Sequence, residues 1–435
     1  MSAVHDLAGI GFGPANISLA IALEELQPAI RPVFFEARAQ VAWQSEMLLP
    51  GSDIQNNPVR DLVTPRNPRS RYSFLNFLHE QGRLLEYLNL GLEFPLRKEY
   101  SQYISWVAGH FAGQLRCSSP VDSVEFADLP DGTRGYALRI GTQRHLARSV
   151  VVAPGRTPFV PPPFDACTSP RIAHFTRYAS TVRELAPDLH TGRIAVVGGS
   201  QSAVELTLDL SRRFPRAEVV NLSRSFAHRL KDTSPFSEAS IMPEFVDYYF
   251  GASQQSKDIL DADLRFTNYS AADMDVLREL YVLIYSQRLD GDQRVHVRNN
   301  ALVTGVTAGP DGVELTVTER HYGHVTRERF DLVVLATGFR NFGNRPDQEA
   351  CPPLLAPIAG ELARTERECV AVGRDYRVSA ADGREIPPLF LYNLNESSHG
   401  ISDAGSFSLL SLRAETIATT AAALLASCPA ELLPA

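Results

Sequence analysis

The stretch Val4-His-Asp-Leu-Ala-Gly-Ile-Gly-Phe-Gly-Pro-Ala-Asn16 constrains the chain more than any other. An apolar run reaches Gly9-x-Gly11, then Gly13-Pro14, and from Ile17 to Leu26 the pattern turns helical. Strand, glycine turn and helix make a phosphate-binding corner. One glycine permits the tight turn, another lets backbone approach a pyrophosphate, and the helix N-terminus offers free N–H groups. Pro14 suits the first helical turn, where its missing donor costs nothing. The third glycine of the usual spacing would fall at Pro14 or Asn16, so the fingerprint is imperfect. A second strand, Arg31-Pro-Val-Phe-Phe-Glu36, ends in an acid about 25 residues after the glycines. An acid there fits a ribose hydroxyl pair, as in sites for FAD or NAD.

The same architecture returns in Arg193-Ile-Ala-Val-Val-Gly198-Gly199-Ser200-Gln201-Ser202-Ala203, with a helix expected from Ala203 to Phe214. Its second strand, Ala217 to Leu222, ends at Ser223-Arg224. Arginine thus takes the place of the acid, where it can pair with a 2′-phosphate and favour NADPH over NADH. Ser200 is read as the middle glycine position of this corner. A side chain there crowds the backbone, so the cofactor is expected to bind displaced or more weakly.

A chain of 435 residues has room for two or three domains. Its net charge of −8, with no lysine- or arginine-rich block, argues against nucleic acid and anionic membrane as partners. No 18-residue apolar run and no leader are found, so a cytoplasmic protein is expected. The five cysteines (Cys117, Cys167, Cys351, Cys369 and Cys428) are scattered without a CxxC pair. They read as idle thiols in a reducing compartment, and no metal site is expected.

Between the corners, residues 43 to 75 show little periodicity and read as an irregular active-site lining. Helical spacing runs from Ser73 to Ala112, followed by a β-rich piece from Val121 to Val152 with a hairpin at Asp131-Gly132. The proline-rich Thr157 to Pro163 is a crossing between domains. Residues Phe226 to Gln287 read as mostly helical, and strands are expected at Arg294–Val297, Val313–Val317 and Phe330–Leu335. The last runs into Ala336-Thr-Gly338 and reads with Val151-Val-Ala-Pro-Gly155 as a pair of return strands. His399 is placed in a loop, and a helix follows from Leu409 to Ala426.

The chain resembles the flavin-dependent N-hydroxylating monooxygenases, the ornithine and lysine N-monooxygenases of hydroxamate siderophore synthesis, over nearly its whole length. The resemblance is carried by Gly9-Ile-Gly-Phe-Gly-Pro-Ala-Asn16, Arg60-Asp-Leu-Val-Thr-Pro-Arg-Asn-Pro68, Tyr72-Ser-Phe-Leu-Asn-Phe77, Gly199-Ser-Gln-Ser-Ala203, Asn268-Tyr-Ser270, Ala336-Thr-Gly338 and Ser398-His-Gly-Ile-Ser402. It implies an α/β fold of two Rossmann-like dinucleotide-binding domains, one for FAD and one for NADPH. The NADPH domain (166–330, its helical substrate region about 226–290) is inserted between FAD-domain pieces 1–165 and 331–435. The implied reaction is N-hydroxylation of a basic amino acid's side chain, L-ornithine first, through a C4a-hydroperoxyflavin formed with O2. The physical needs agree, because the flavin supplies the oxygen chemistry and the protein supplies position and a dry pocket.

By the same resemblance, Gly9, Gly11, Gly13, Pro14, Glu36, Trp43, Gln44, Gln55, Val121, Gly338 and Phe407 would hold FAD. Glu36 would take the ribose, and Gln55 would face the isoalloxazine. Gly198, Gly199, Ser200, Gln201, Ser202, Arg224, Asn268, Tyr269 and Ser270 would hold NADPH. Substrate would meet Arg60, Glu238, Asn268 and Ser408. No side chain is assigned as catalytic, and a homo-oligomer (dimer or tetramer) is implied.

Two departures bear on the substrate. Family lysine is replaced by Arg60, which can hold a carboxylate bidentately. Family asparagine is replaced by Glu238 in Ser234-Pro-Phe-Ser-Glu238, which favours an additional cation and makes L-arginine the runner-up. Arg60 and Glu238 could instead pair with each other. Trp43 is followed by Gln44 where the family has histidine. A disulfide oxidoreductase lacks its cysteine pair here. A general flavin monooxygenase lacks its glycine–histidine–Trp-Pro motif, which leaves His174 a structural role. A non-catalytic FAD-binding protein is the remaining alternative.

Overall fold

β1 (Val4–Ile10) and β2 (Pro32–Phe35) run parallel and are joined by α1 (Pro14–Leu26), with Pro14 in the first helical turn as expected. The computed structural model describes residues 4–427; Cys428 lies outside them. Gly11, at φ +80°, makes the turn that no residue with a side chain enters freely. A Cβ on it would also stand 2.6 Å from the carbonyl oxygen of Ala153.

An irregular stretch leads to α2 (Phe74–Glu80), α3 (Leu84–Leu90) and α4 (Arg97–His110). The Ser73 hydroxyl caps α2 by accepting the Asn76 N–H at 3.2 Å, satisfying a donor the helix leaves free. Phe74, Phe77, Leu78, Tyr103, Ile104 and Val107 are buried with α1 in one core, so the helical spacing marks packing.

β3 (Leu115–Arg116) pairs with β2. β4 (Ser123–Asp128), β5 (Arg134–Ile140) and β6 (Gln143–Val152) form an antiparallel meander, its hairpin at Asp131-Gly132 as expected. The first sheet takes the order β3-β2-β1-β6-β5-β4.

The second unit holds β7 (Ile172–His174), α5 (Tyr178–Leu189), β8 (Arg193–Val197), α6 (Gln201–Arg213) and β9 (Glu218–Leu222). Next come β10 (Arg229–Leu230), α7 (Pro243–Gly251), α8 (Gln254–Asp263), β11 (Ala271–Ala272) and α9 (Met274–Leu289). β10 pairs with β11, which folds the helical region back on itself. Then follow β12 (Val295–Arg298), the antiparallel β13 (Ala301–Gly309), β14 (Gly312–Glu319) and β15 (Val325–Phe330), and β16 (Leu332–Leu335).

β16 corrects the expected boundary at 330/331. It lies in the second sheet, of order β12-β9-β8-β16-β7, and is not a return strand of the first. A short apolar run with both faces buried carries no mark of the sheet it joins. After a two-residue pair, β17 (Asn341–Phe342) with β18 (Gln348–Glu349), the return is made by β19 (Leu389–Leu391), parallel to β6. α10 (Glu396–His399) and α11 (Leu410–Ser427) close the described chain, and α11 packs on α1.

Candidate functional site: two nucleotide corners and the cleft between them

The two corners are copies of one design. Gly11 N–H donates to the Phe35 carbonyl at 2.8 Å, and Gly198 N–H donates to the Leu222 carbonyl at 3.0 Å. A Cβ on Gly198 would stand 2.5 Å from the Ala336 carbonyl oxygen, as one on Gly11 would from Ala153. An asparagine amide ties each turn, Asn16 to the carbonyls of Ile10 and Gly11, and Asn221 to those of Val196 and Gly198.

This correspondence corrects the register of the second corner. Gly198 matches Gly11, and Ser200 matches Gly13, each standing immediately before its helix. A Cβ on Gly13 would meet nothing within 4 Å, so the mouth of α1 is open. The first turn of each helix presents N–H groups that no carbonyl of its own helix reaches. Both corners fit a pyrophosphate. Ser202 lies in the first turn of α6, half-buried.

Glu36 stands on the rim of the first corner, one carboxylate oxygen accepting the Phe12 N–H at 2.9 Å and the other the Arg38 N–H at 3.0 Å. Trp43 and Phe407, far apart in sequence, meet edge to face at 5.4 Å, with Tyr100 against Phe407 at 5.1 Å. Gln44 and Gln55 both take left-handed backbone, at φ +48° and +53°. Val121 is half-buried against the core under the β4–β6 meander.

At the second corner, Gly198, Gly199, Ser200 and Arg224 line a cleft of about 990 Å³. Arg224 is exposed there and has no ionic partner among the described residues. Asn341 also lines the cleft, and its buried Oδ1 has no hydrogen-bond donor. Gly338, assigned to the flavin by resemblance, lines this cleft with the second corner. Its carbonyl accepts from Phe159 N–H and faces His174 Nε2, both at 2.9 Å. Burial pushes His174 down to about 4, which suits the structural role expected of it.

Gln201 has its side chain engaged within the protein. Its Oε1 accepts the Asp273 N–H at 2.9 Å and its Nε2 donates to Glu205 at 2.9 Å. Both ends of its amide are therefore held by protein.

The Asn268-Tyr-Ser270 segment is bound to the C-terminal region. Asn268 Nδ2 donates to the Ile401 carbonyl at 3.3 Å. Tyr269 hydroxyl donates to Glu396 at 2.5 Å and accepts from Arg156 at 2.8 Å. Burial pushes the Glu396 carboxyl up to about 7, against the nearby Arg156 guanidinium. Ser270 has φ +57° and its hydroxyl accepts from Arg265. Arg156 and Glu396 line the cleft and were not singled out in the sequence.

Ser408 is nearly buried, its N–H donating to the Ser406 hydroxyl at 3.2 Å. Glu238 sits in the single turn Ser237–Ile241. Glu238 and Arg60 are half-buried, and no ion pair joins them among the described residues. His399 is corrected from loop to the last residue of α10, fully buried and stacked on Tyr376 at 4.4 Å. Its ring nitrogens face Ser398 Oγ at 2.9 Å and the Arg374 carbonyl at 3.4 Å.

Residues 3–341 match the family described as L-lysine 6-monooxygenase/L-ornithine 5-monooxygenase. The chain is 34% identical to an L-ornithine N(5)-monooxygenase of Pseudomonas aeruginosa, over 95% of this chain and 93% of that one. The reduced form of an ornithine hydroxylase from Pseudomonas aeruginosa is similar in structure, with TM-score 0.88 and 32% identity. That match covers 97% of this chain and 100% of the other. An ornithine N-hydroxylase of Kutzneria sp. 744, solved with reduced FAD, NADP+ and L-ornithine, matches with TM-score 0.87 and 32% identity. It covers 96% of this chain and 99% of its own.

Proposed function

Because the chain belongs to the L-lysine 6-monooxygenase/L-ornithine 5-monooxygenase family, we propose that it N-hydroxylates the side-chain nitrogen of a basic amino acid, L-ornithine first, with FAD, NADPH and O2. The observation that carries this reading is the pair of matched corners, one ending in Glu36 and the other in Arg224. An acid at that place suits a ribose diol, and an unpaired arginine suits a 2′-phosphate. The product would be a hydroxylamine of the kind built into hydroxamate siderophores or related natural products.

Bound FAD supplies the reaction with dioxygen, chemistry that no side chain here offers. The open mouth of α1 at Gly13 would receive the flavin pyrophosphate, and Glu36 would turn from the Phe12 N–H toward the ribose. Trp43 and Phe407 would pack together against the cofactor and exclude water, and Gln55 would face the ring. Arg224 would anchor the NADPH phosphate at the far end of the cleft. Asn268, fixed to the Ile401 carbonyl, would address both substrate and nicotinamide half.

The amino-acid carboxylate is assigned to Arg60 and a cationic group to Glu238, with Ser408 at the C-terminal wall. The reacting nitrogen must be neutral to act as nucleophile, and a dry pocket disfavours its protonated form. Glu238 keeps L-arginine as the second reading, because a carboxylate rewards extra positive charge.

Among the described residues no helix is long and apolar enough to cross a membrane. We place the enzyme in the cytoplasm, where NADPH is supplied. A homo-oligomer belongs to the same reading, since α9 leaves Tyr281, Val282, Tyr285 and Leu289 exposed. The test is a hydroxylamine assay of the purified protein with NADPH against ornithine, lysine, arginine, diamines and acidic amino acids. Product is expected chiefly from ornithine. NADPH oxidation without hydroxylamine from any of them would defeat the reading.

A further inference from the structure

A closed circuit of hydrogen bonds joins the loop that carries Gln55 to the helix of the second corner. Arg97, at the start of α4, donates to both carboxylate oxygens of Glu205 at 3.0 Å, and the pair is buried. Arg97 also donates to the carbonyls of Met47 at 2.9 Å and Asp53 at 3.1 Å. The Asp53 carboxylate accepts the Gln55 N–H at 2.9 Å, which holds Gln55 in its left-handed backbone. Gln55 Nε2 donates to the Asp273 carboxylate. Asp273 N–H in turn donates to Gln201 Oε1, and Gln201 Nε2 donates to Glu205. The circuit therefore crosses between the two units twice, at Arg97–Glu205 and at Gln55–Asp273.

Asp273 is set apart by what its side chain does not do. It stands at the N-cap of α9, where an aspartate ordinarily accepts an N–H of the first turn, yet it makes no such bond. Its carboxylate reaches across to Gln55 instead. Gln201 is the first residue of α6, so one residue grips both the loop over one corner and the helix mouth of the other.

We propose that Asp273 is a positioning residue for electron transfer from NADPH to the flavin: it fixes the loop bearing Gln55 relative to the second corner, and with it the separation of the two cofactors. This rests on the assignment of FAD and NADPH to the two corners. Hydride transfer needs near-contact geometry, and a small misplacement costs rate while leaving binding at the distal phosphate intact. Asp273 thus acts on the reduction step, and Arg224 on affinity.

The variants are Asp273→Ser, which can cap α9 but is too short to reach Gln55, and Asp273→Asn, which keeps an acceptor of the same length. The FAD-loaded protein is titrated with NADP+ while flavin absorbance is followed, and flavin reduction by NADPH is timed without oxygen. In Asp273→Ser the NADP+ affinity is expected within about twofold of wild type, with the NADP+-induced change in the flavin spectrum lost. Reduction is expected to slow by roughly ten- to a hundredfold. Asp273→Asn should restore most of both. Wild-type spectrum and reduction rate in Asp273→Ser would overturn the proposal, as would equal loss in both variants or a matching loss of NADP+ affinity. A wild-type protein that carries no FAD, or does not reduce it with NADPH, would instead defeat the functional reading.

Discussion

Gly13 and Ser200 hold the same place in two copies of one corner, each the residue immediately before a helix whose open N-terminus is proposed to receive a pyrophosphate. The first has open space where a Cβ would be, and the second carries a side chain that makes no capping bond to its helix. The serine thus narrows the second mouth without stabilising its helix. Ser200→Gly is expected to lower the KM for NADPH by up to about tenfold, or 1.4 kcal/mol, and to leave FAD content unchanged. Because Ser200 makes no cap bond, fold stability should change by no more than a few tenths of a kcal/mol. Steady-state kinetics and flavin absorbance check both statements, and a raised KM would show that the hydroxyl itself holds phosphate.

Arg224 is the exposed cation on the cleft wall beside that mouth. Arg224→Ala should raise the KM for NADPH roughly ten- to a hundredfold, the loss of a charge-assisted bond of about 1.5–3 kcal/mol. The KM for NADH should stay nearly constant. Equal effects on the two nucleotides would remove the 2′-phosphate from this position.

The proposed role of Glu238 is tested by the choice between ornithine and a more cationic substrate. In Glu238→Asn the native substrate is expected to lose one to two orders of magnitude, about 1.4–2.7 kcal/mol. If arginine is native, ornithine should gain relative to it. Hydroxylated products of the two amino acids are compared side by side. An unchanged rate and ratio would place Glu238 outside the pocket.

Glu396 gives stability a pH dependence of known sign. Burial raises its carboxyl from an ordinary 4.5 to about 7. Between those values the folded chain holds a proton that the unfolded chain has released, so its contribution falls as pH rises and levels off above 7. Burial raises Asp53 to about 6 and adds in the same sense. His174, lowered to about 4, acts in the opposite sense between 4 and its ordinary 6.5. Comparison with Glu396→Gln isolates the one group. The stability difference, wild type minus variant, should decline from pH 5 to 7.5 with a slope of at most about 1.4 kcal/mol per unit. Urea denaturation across that range measures it, and a flat difference would mean that Glu396 stays ionised.

Both corners were legible in the sequence because their turns demand particular residues. Only glycine enters the turn at Gly11 freely, the helix that follows shows its period, and a charged residue, Glu36 or Arg224, stands just after the next strand. Strand membership was less legible. Leu332–Leu335 and Val150–Val152 are equally apolar and equally buried, so composition alone does not say which sheet each joins. The circuit through Arg97 was not legible at all. Arg97 and Glu205 lie 108 residues apart, and each reads alone as an ordinary charged residue on a helix. Gln201 shows the same limit from the other side. Its place in the corner suggested a ligand, but its amide is engaged by two neighbours that only the fold brings near.

The pairing of β19 with β6 has a consequence for how the chain is made. Val150–Val152 is complete early in synthesis, but the strand that covers its edge, Leu389–Leu391, emerges more than 200 residues later. Until then a nascent chain carries an apolar strand with unpaired N–H and C=O groups, the template on which other chains add. The second unit, threaded between these strands, can fold on the ribosome while the first waits. An interval of aggregation risk is therefore expected until Leu389–Leu391 has been made. A chain stopped after residue 385 is expected to be insoluble even though its second unit is whole. Recovery of that truncation as a soluble monomer would show that something else shields the edge.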